Sequence, residues 1–88
     1  MKLKYKFITN EVADKFVAVA VGDDMDAFKG FVKMNDIGAE IFAMLENDIS
    51  EDEIVAAMAE KHTDTPEAEV REAVAEFIAG LKKEDLLI

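Results

Sequence analysis

The apolar residues of this chain change period at Met34-Asn35, and that switch limits what the chain can fold into. Upstream they alternate or run in short β-branched blocks, the pattern of strands. Downstream, Ile37, Ile41 and Leu45 recur every fourth residue with Phe42 beside them, which draws one apolar stripe along a helix. Asn35 stands at the boundary and predicts a helix N-cap, because its side-chain oxygen can accept an amide of the first turn. Strands before this point and helices after it make an α+β protein with segregated halves.

Within the first half, Lys2 to Phe7 alternates strictly. The spacing predicts a strand with Leu3, Tyr5 and Phe7 on a buried face, and with Lys2, Lys4 and Lys6 in water or guarding an exposed edge. Thr9 to Lys15 (TNEVADK) reads as a turn or loop. Phe16 to Val21 is the most strand-prone stretch and is apolar on both faces, which predicts a central strand. The Gly22-Asp23-Asp24-Met25-Asp26 loop holds three aspartates but does not match a calcium loop, since Phe28 and Lys29 occupy ligand-like positions. Gly30 to Met34 predicts a short third strand, paired with the second as a hairpin, with Phe31 and Lys33 on one face and Val32 and Met34 on the other. In a three-strand meander it is an edge, with backbone groups left unpaired.

The second half is punctuated by capping signals. A first helix is predicted over Asp36 to Glu46. Ser50-Glu51-Asp52-Glu53 is a capping box, with Ile49 and Ile54 spaced as a hydrophobic staple, and the helix it opens should end near His62. Thr65 is placed to cap a third helix with Pro66 at its first position, and Val70, Val74, Phe77, Ile78 and Leu81 mark its buried side. Leu86, Leu87 and Ile88 should fold back onto the core, because three large apolar residues left in water forfeit their burial energy. The expected architecture is one domain over residues 1–88: a three-stranded antiparallel sheet followed by a three-helix bundle, βββααα, similar to a winged helix with its strands moved to the front.

Charge narrows the function. The net charge is −10 and it is uneven: residues 1–33 carry six lysines against five acidic residues, while residues 34–88 carry four basic residues against fifteen acidic ones. A helical half at −11 repels phosphate, so nucleic acid is not an expected partner. No apolar run is long enough to span a bilayer, so no membrane association is expected. With no cysteine and a single histidine, His62, the chain offers neither a thiolate nor an imidazole cluster for a metal, and no nucleophile is paired with a base. No cofactor and no catalysis are expected, and a reducing cytoplasm suits the composition.

At MNDIGAEIFAML (Met34 to Leu45) the chain resembles the PqqD family, whose signature is a Leu-Asn-x-Thr-Gly/Ala-Ala-x-Ile-Trp/Phe-x-Leu-Leu run between three strands and two further helices. Met34-Asn35, Gly38-Ala39, Ile41-Phe42 and Met44-Leu45 match it, while Ile37 replaces the usual Thr. SEDEIVAAMAEKH is similar to the family's second helix. VREAVAEFIAGLKKEDLLI is similar to its last helix and tail, with Asp85 where Gly is common. FVAVAVGDDMDAFKGFVKMN is similar to the upstream strands.

The resemblance implies a non-catalytic adaptor that binds the leader of a ribosomally made precursor peptide and presents it to a modifying enzyme, often a radical S-adenosylmethionine enzyme. The founding member serves pyrroloquinoline quinone synthesis. It further implies that the leader adds as a strand to the third strand and lies against the last helix. Phe31, Val32, Lys33 and Met34, with Arg71, Val74 and Ile78, are therefore the candidate peptide-binding residues, with core packing as the competing role for Val74 and Ile78. A second copy of the chain could pair with the same edge as a homodimer. Two other readings compete. One is a winged-helix interaction or regulatory subunit without a leader ligand. The other is an acyl carrier protein, which the strand-rich first third and the capping role of Ser50 disfavour.

Overall fold

The switch at Met34-Asn35 is where the sheet gives way to the helices in the computed structural model, which describes residues 1–88. Strands β1 (Phe7–Val12), β2 (Lys15–Ala20) and β3 (Val32–Met34) form an antiparallel sheet in the order β1-β2-β3. Helices α1 (Asp36–Met44), α2 (Glu51–Lys61) and α3 (Glu67–Lys83) follow. The α+β order and the central place of β2 are as expected, and β3 is an edge.

The N-terminal half departs from expectation in its pairing. The alternation of Lys2 to Phe7 survives, with Leu3 buried and Tyr5 and Phe7 half-buried between exposed lysines. Residues 2–4, however, pair with the C-terminal tail instead of with β2. The Lys2 amide donates to the Ile88 carbonyl at 2.9 Å, the Ile88 amide returns the bond at 2.9 Å, and the Lys4 amide donates to Leu86 O at 2.7 Å. The folded-back tail thus has a partner as well as a core contact, with Leu86 at 1 % exposure. TNEVADK is not a loop either. Phe7 to Val12 pairs with Lys15 to Ala20 from Phe7↔Ala20 to Val12↔Lys15, and only Ala13 and Asp14 turn the chain. Ala13 sits at φ 57, a left-handed conformation in which glycine is the usual residue. β1 buries almost nothing, so no apolar alternation announces it.

The helix boundaries follow their caps. The Gly38 amide donates to Asn35 Oδ1 at 2.8 Å, which starts α1 where expected; it ends at Met44, two residues early. At α2 both halves of the capping box are present, the Glu53 amide donating to Ser50 Oγ and the Ser50 amide to Glu53 Oε1, each at 3.1 Å. Ser50→Ala should therefore cost about 0.5–2 kcal/mol of stability. Denaturant unfolding checks this, and an unchanged midpoint would mean that the cap contributes nothing. The start of α3 is corrected by one residue: Pro66, extended at ψ 141, is the cap position itself, and Thr65 makes no capping bond.

At its other end α3 closes in a Schellman arrangement. The Leu86 amide donates to Leu81 O and the Asp85 amide to Lys82 O, both at 3.0 Å, around Asp85 at φ 58. That left-handed backbone is one that glycine adopts without strain, here taken up by an aspartate.

The core lies where the three helices meet the inner face of the sheet. Ile41, Leu45, Ile54, Val55, Val74, Ile78 and Leu86 are its largest fully buried side chains, joined by Ala18 and Met34 from the strands. The opposite face of the sheet is open, leaving Ile8, Val12 and Val19 exposed. No helix is long and apolar enough to cross a membrane.

Candidate functional site

β3 hydrogen-bonds only to β2, through the register Phe16↔Met34, Val17↔Lys33 and Ala18↔Val32, so its other edge has no strand partner. Gly30, at φ 124, bends the chain just before β3, and the Asn35 cap ends it. Beside that free edge runs a groove of about 400 Å³. Phe28, Phe31, Val32 and Lys33 form one wall, α3 forms the other through Phe77 and Gly80, and Leu81 and Leu86 close the floor from the core. Phe31 is 63 % exposed, a large apolar side chain held in water at the groove's mouth.

The α3 wall is fixed by a close helix contact. A Cβ on Gly38 would meet the Phe77 ring at 2.8 Å and Met34 Cβ at 3.1 Å, so only glycine lets α1 approach α3 this closely. Phe77 is thereby propped against α1 with its free side toward the groove. Gly80 is the opposite case. It sits inside α3, where glycine costs about 1 kcal/mol relative to alanine, yet a Cβ there would meet nothing within 4 Å. Packing gives no reason for it, and its one structural effect is to leave the groove open.

The sequence-predicted residues divide. Phe31, Val32 and Lys33 line the groove. Met34 ends the same strand, but its side chain is buried in the core. Val74 and Ile78, at 0 % and 1 % exposure, are core residues and do not line the groove. Arg71 leans the other way, toward α2, with Nη1 3.2 Å from Asp52 Oδ1 and a longer contact to Glu67 at 3.6 Å. It does not line the groove. Glu76, Phe77, Gly80 and Glu84 do, one helical face round from the predicted set. Sequence periodicity does not single out these lining residues, because Phe77 belongs to the same apolar stripe as the core residues. The unexplained mid-helix glycine was the available signal.

Two other features lie outside the groove. A cleft of about 520 Å³ lies over Lys2, Lys4, Lys6 and Tyr5, but the backbone beneath it is already paired, Lys2 and Lys4 with the tail and Leu3 with Leu45 O at 2.8 Å. Asp24, in the loop before β3, accepts the Lys6 amide at 2.8 Å and ties that loop to the N-terminal segment.

The single histidine also has a structural partner. Its Nε2 lies 2.8 Å from Glu40 Oε2, and Lys61 pairs with the same carboxylate, linking α1 to the end of α2. Burial pushes the Glu40 carboxyl up, but the hydrogen bonds and charges of Lys61 and His62 outweigh it and hold the group below the usual carboxylate range. A carboxyl depressed in the folded state contributes stability above its unfolded pKa, and that stability is lost as pH falls through the folded value. Glu40→Gln should thus destabilise the protein near about pH 7, and its gap to the parent should close in acid as the Glu40 carboxylate is protonated. Unfolding at neutral and at acid pH checks this; a gap that persists in acid would assign the loss to packing.

A family profile described as coenzyme PQQ synthesis protein D (PqqD) matches residues 16–87. No curated protein sequence matches the chain. Among solved structures, one described as TbiB1 in complex with the TbiA(beta) leader peptide aligns with a TM-score of 0.71 at 20% identity, covering 99% of this chain and 94% of that one. At that identity the likeness establishes the fold: three antiparallel strands followed by three helices.

Proposed function

The chain belongs to the PqqD family, and from that premise we propose that it is a non-catalytic adaptor that binds the leader of a ribosomally made precursor peptide. The leader adds to the free edge of β3 and lies over the groove toward α3, and the bound complex is then offered to a modifying enzyme. The observation that carries this reading is the coincidence of an unpaired strand edge with a largely apolar groove beside Val32 and Lys33. Strand addition supplies affinity through backbone hydrogen bonds, while the groove supplies specificity through alternate side chains. The structurally similar TbiB1 is described in complex with a leader peptide, which supports the same role here.

The peptide-binding residues of this proposal are Phe31, Val32 and Lys33, with Met34 contributing backbone alone, and Phe77, Gly80 and Glu76 across the groove. Arg71, Val74 and Ile78 leave the set. The modifying enzyme is a radical S-adenosylmethionine enzyme in this reading, as the family resemblance implies, and the setting is the cytoplasm. A second copy of the chain competes for the β3 edge, so a β3-mediated homodimer and a leader complex are mutually exclusive.

The test is chemical-shift mapping with a synthetic peptide carrying the leader of a candidate precursor. Changes should concentrate on residues 30–35 and 76–84. Changes confined to the Lys2, Lys4 and Lys6 face would place the peptide on the wrong side of the sheet and overturn the proposal.

A further inference from the structure

Glu76, Gly80 and Glu84 stand four residues apart, the first two on one ridge of α3 and Glu84 at its C-cap, and all three line the groove. Neither glutamate has a cationic partner in the fold, although Lys4, Lys61 and Arg71 are all paired with other carboxylates. The ridge therefore reads, along its axis, as free carboxylate, open space, free carboxylate. Its length matches a short piece of strand. Eight helical residues span about 12 Å, and four residues of extended chain span about 13 Å.

A strand added to β3 turns alternate side chains toward α3. Ala18 is fully buried on the inner face and pairs with Val32, whereas Lys33 pairs with Val17 on the open face, so Lys33 meets only the outward set of ligand side chains. Lys33 is the one cation lining the groove, and Lys82 and Lys83 at the end of α3 do not line it. The inward set thus sees two carboxylates and an apolar gap framed by Phe77, Leu81 and Phe28.

Resting on the leader-binding reading, we infer that this groove selects a basic peptide of the form basic-x-apolar-x-basic. The apolar side chain sits over Gly80, and the two Lys or Arg side chains pair with Glu76 and Glu84. The surroundings favour the same sign, since residues 34–88 carry −11 and draw cationic segments in by long-range attraction.

Synthetic eleven-residue peptides in a Thr/Ser background test this, with centres Lys-Ser-Leu-Ser-Lys, Glu-Ser-Leu-Ser-Glu, Lys-Ser-Ser-Ser-Lys and Ser-Lys-Leu-Lys-Ser. Each is titrated by chemical shift at low salt. The first should bind at least about tenfold more tightly than the other three, and added salt should narrow its lead over the Glu-containing peptide. The Glu76→Gln, Glu84→Gln double variant should lose the preference for Lys over Glu while keeping the preference for Leu over Ser. Equal binding of the Lys and Glu peptides, with shifts in residues 30–35 and 76–84, overturns the code and leaves the leader-binding reading intact. The code also fails if Ser-Lys-Leu-Lys-Ser matches the first peptide, because the basic residues would then not face α3. Shifts outside the groove overturn both, and the absence of shifts with every peptide overturns the code.

Discussion

Ile78→Ala should lower the unfolding free energy by about 2–5 kcal/mol, the range for emptying a fully buried aliphatic site. Ile78 is 1 % exposed in a core that also holds Ile41, Leu45, Ile54 and Val74. A domain this small has about 5–15 kcal/mol of stability in total, so the variant stands near the edge of folding. The effect should be on stability alone. In the folded fraction, leader affinity should stay within about threefold of the parent. Denaturant unfolding and a peptide titration of the same variant separate the two. A well-folded variant that had lost its peptide would show that Ile78 reaches the ligand after all.

That distinction marks where the sequence stops being readable. The period of α3 shows which residues lie on its apolar side, but that side is wide. Val74 and Ile78 face the bundle, while Phe77 and Gly80 face the edge of the sheet, and hydropathy cannot separate two neighbours that both exclude water. Arg71 lies away from the groove for a related reason. Its partner, Asp52, is on a different helix, and no spacing along one helix reveals which element a charged side chain will lean toward.

The capped starts of α1 and α2 were legible because their signals are local: Asn35 and Ser50 act on amides three residues away. β1 was hidden for the complementary reason. It is held by backbone pairing to β2 through a turn with Ala13 in a glycine-like conformation, and neither the exposed strand nor the turn carries its usual residues. The pairing of residues 2–4 with residues 86–88 joins the two chain ends, and such a contact leaves no trace in either segment alone.

Gly80→Leu should move stability and binding in opposite directions. Leucine in place of glycine inside an exposed helical turn gains about 0.8 kcal/mol of helix propensity, and a Cβ at this position meets nothing within 4 Å, so the fold should tolerate it. The same side chain extends into the groove beside Phe77 and Leu81, where the proposed ligand's apolar residue would rest. Leader affinity should fall tenfold or more, since about 1.4 kcal/mol of lost contact is enough for that change. Gly80→Ala is the graded control: it gains about 1 kcal/mol, at least as much as leucine, and fills little of the space, so binding should weaken only slightly. Thermal unfolding and peptide titration on the two variants give four numbers, and their ordering is the prediction. A destabilised Gly80→Leu would mean that the glycine serves packing. A stabilised variant that binds the leader undiminished would mean that the peptide does not pass over Gly80, and the groove would lose its claim to be the site.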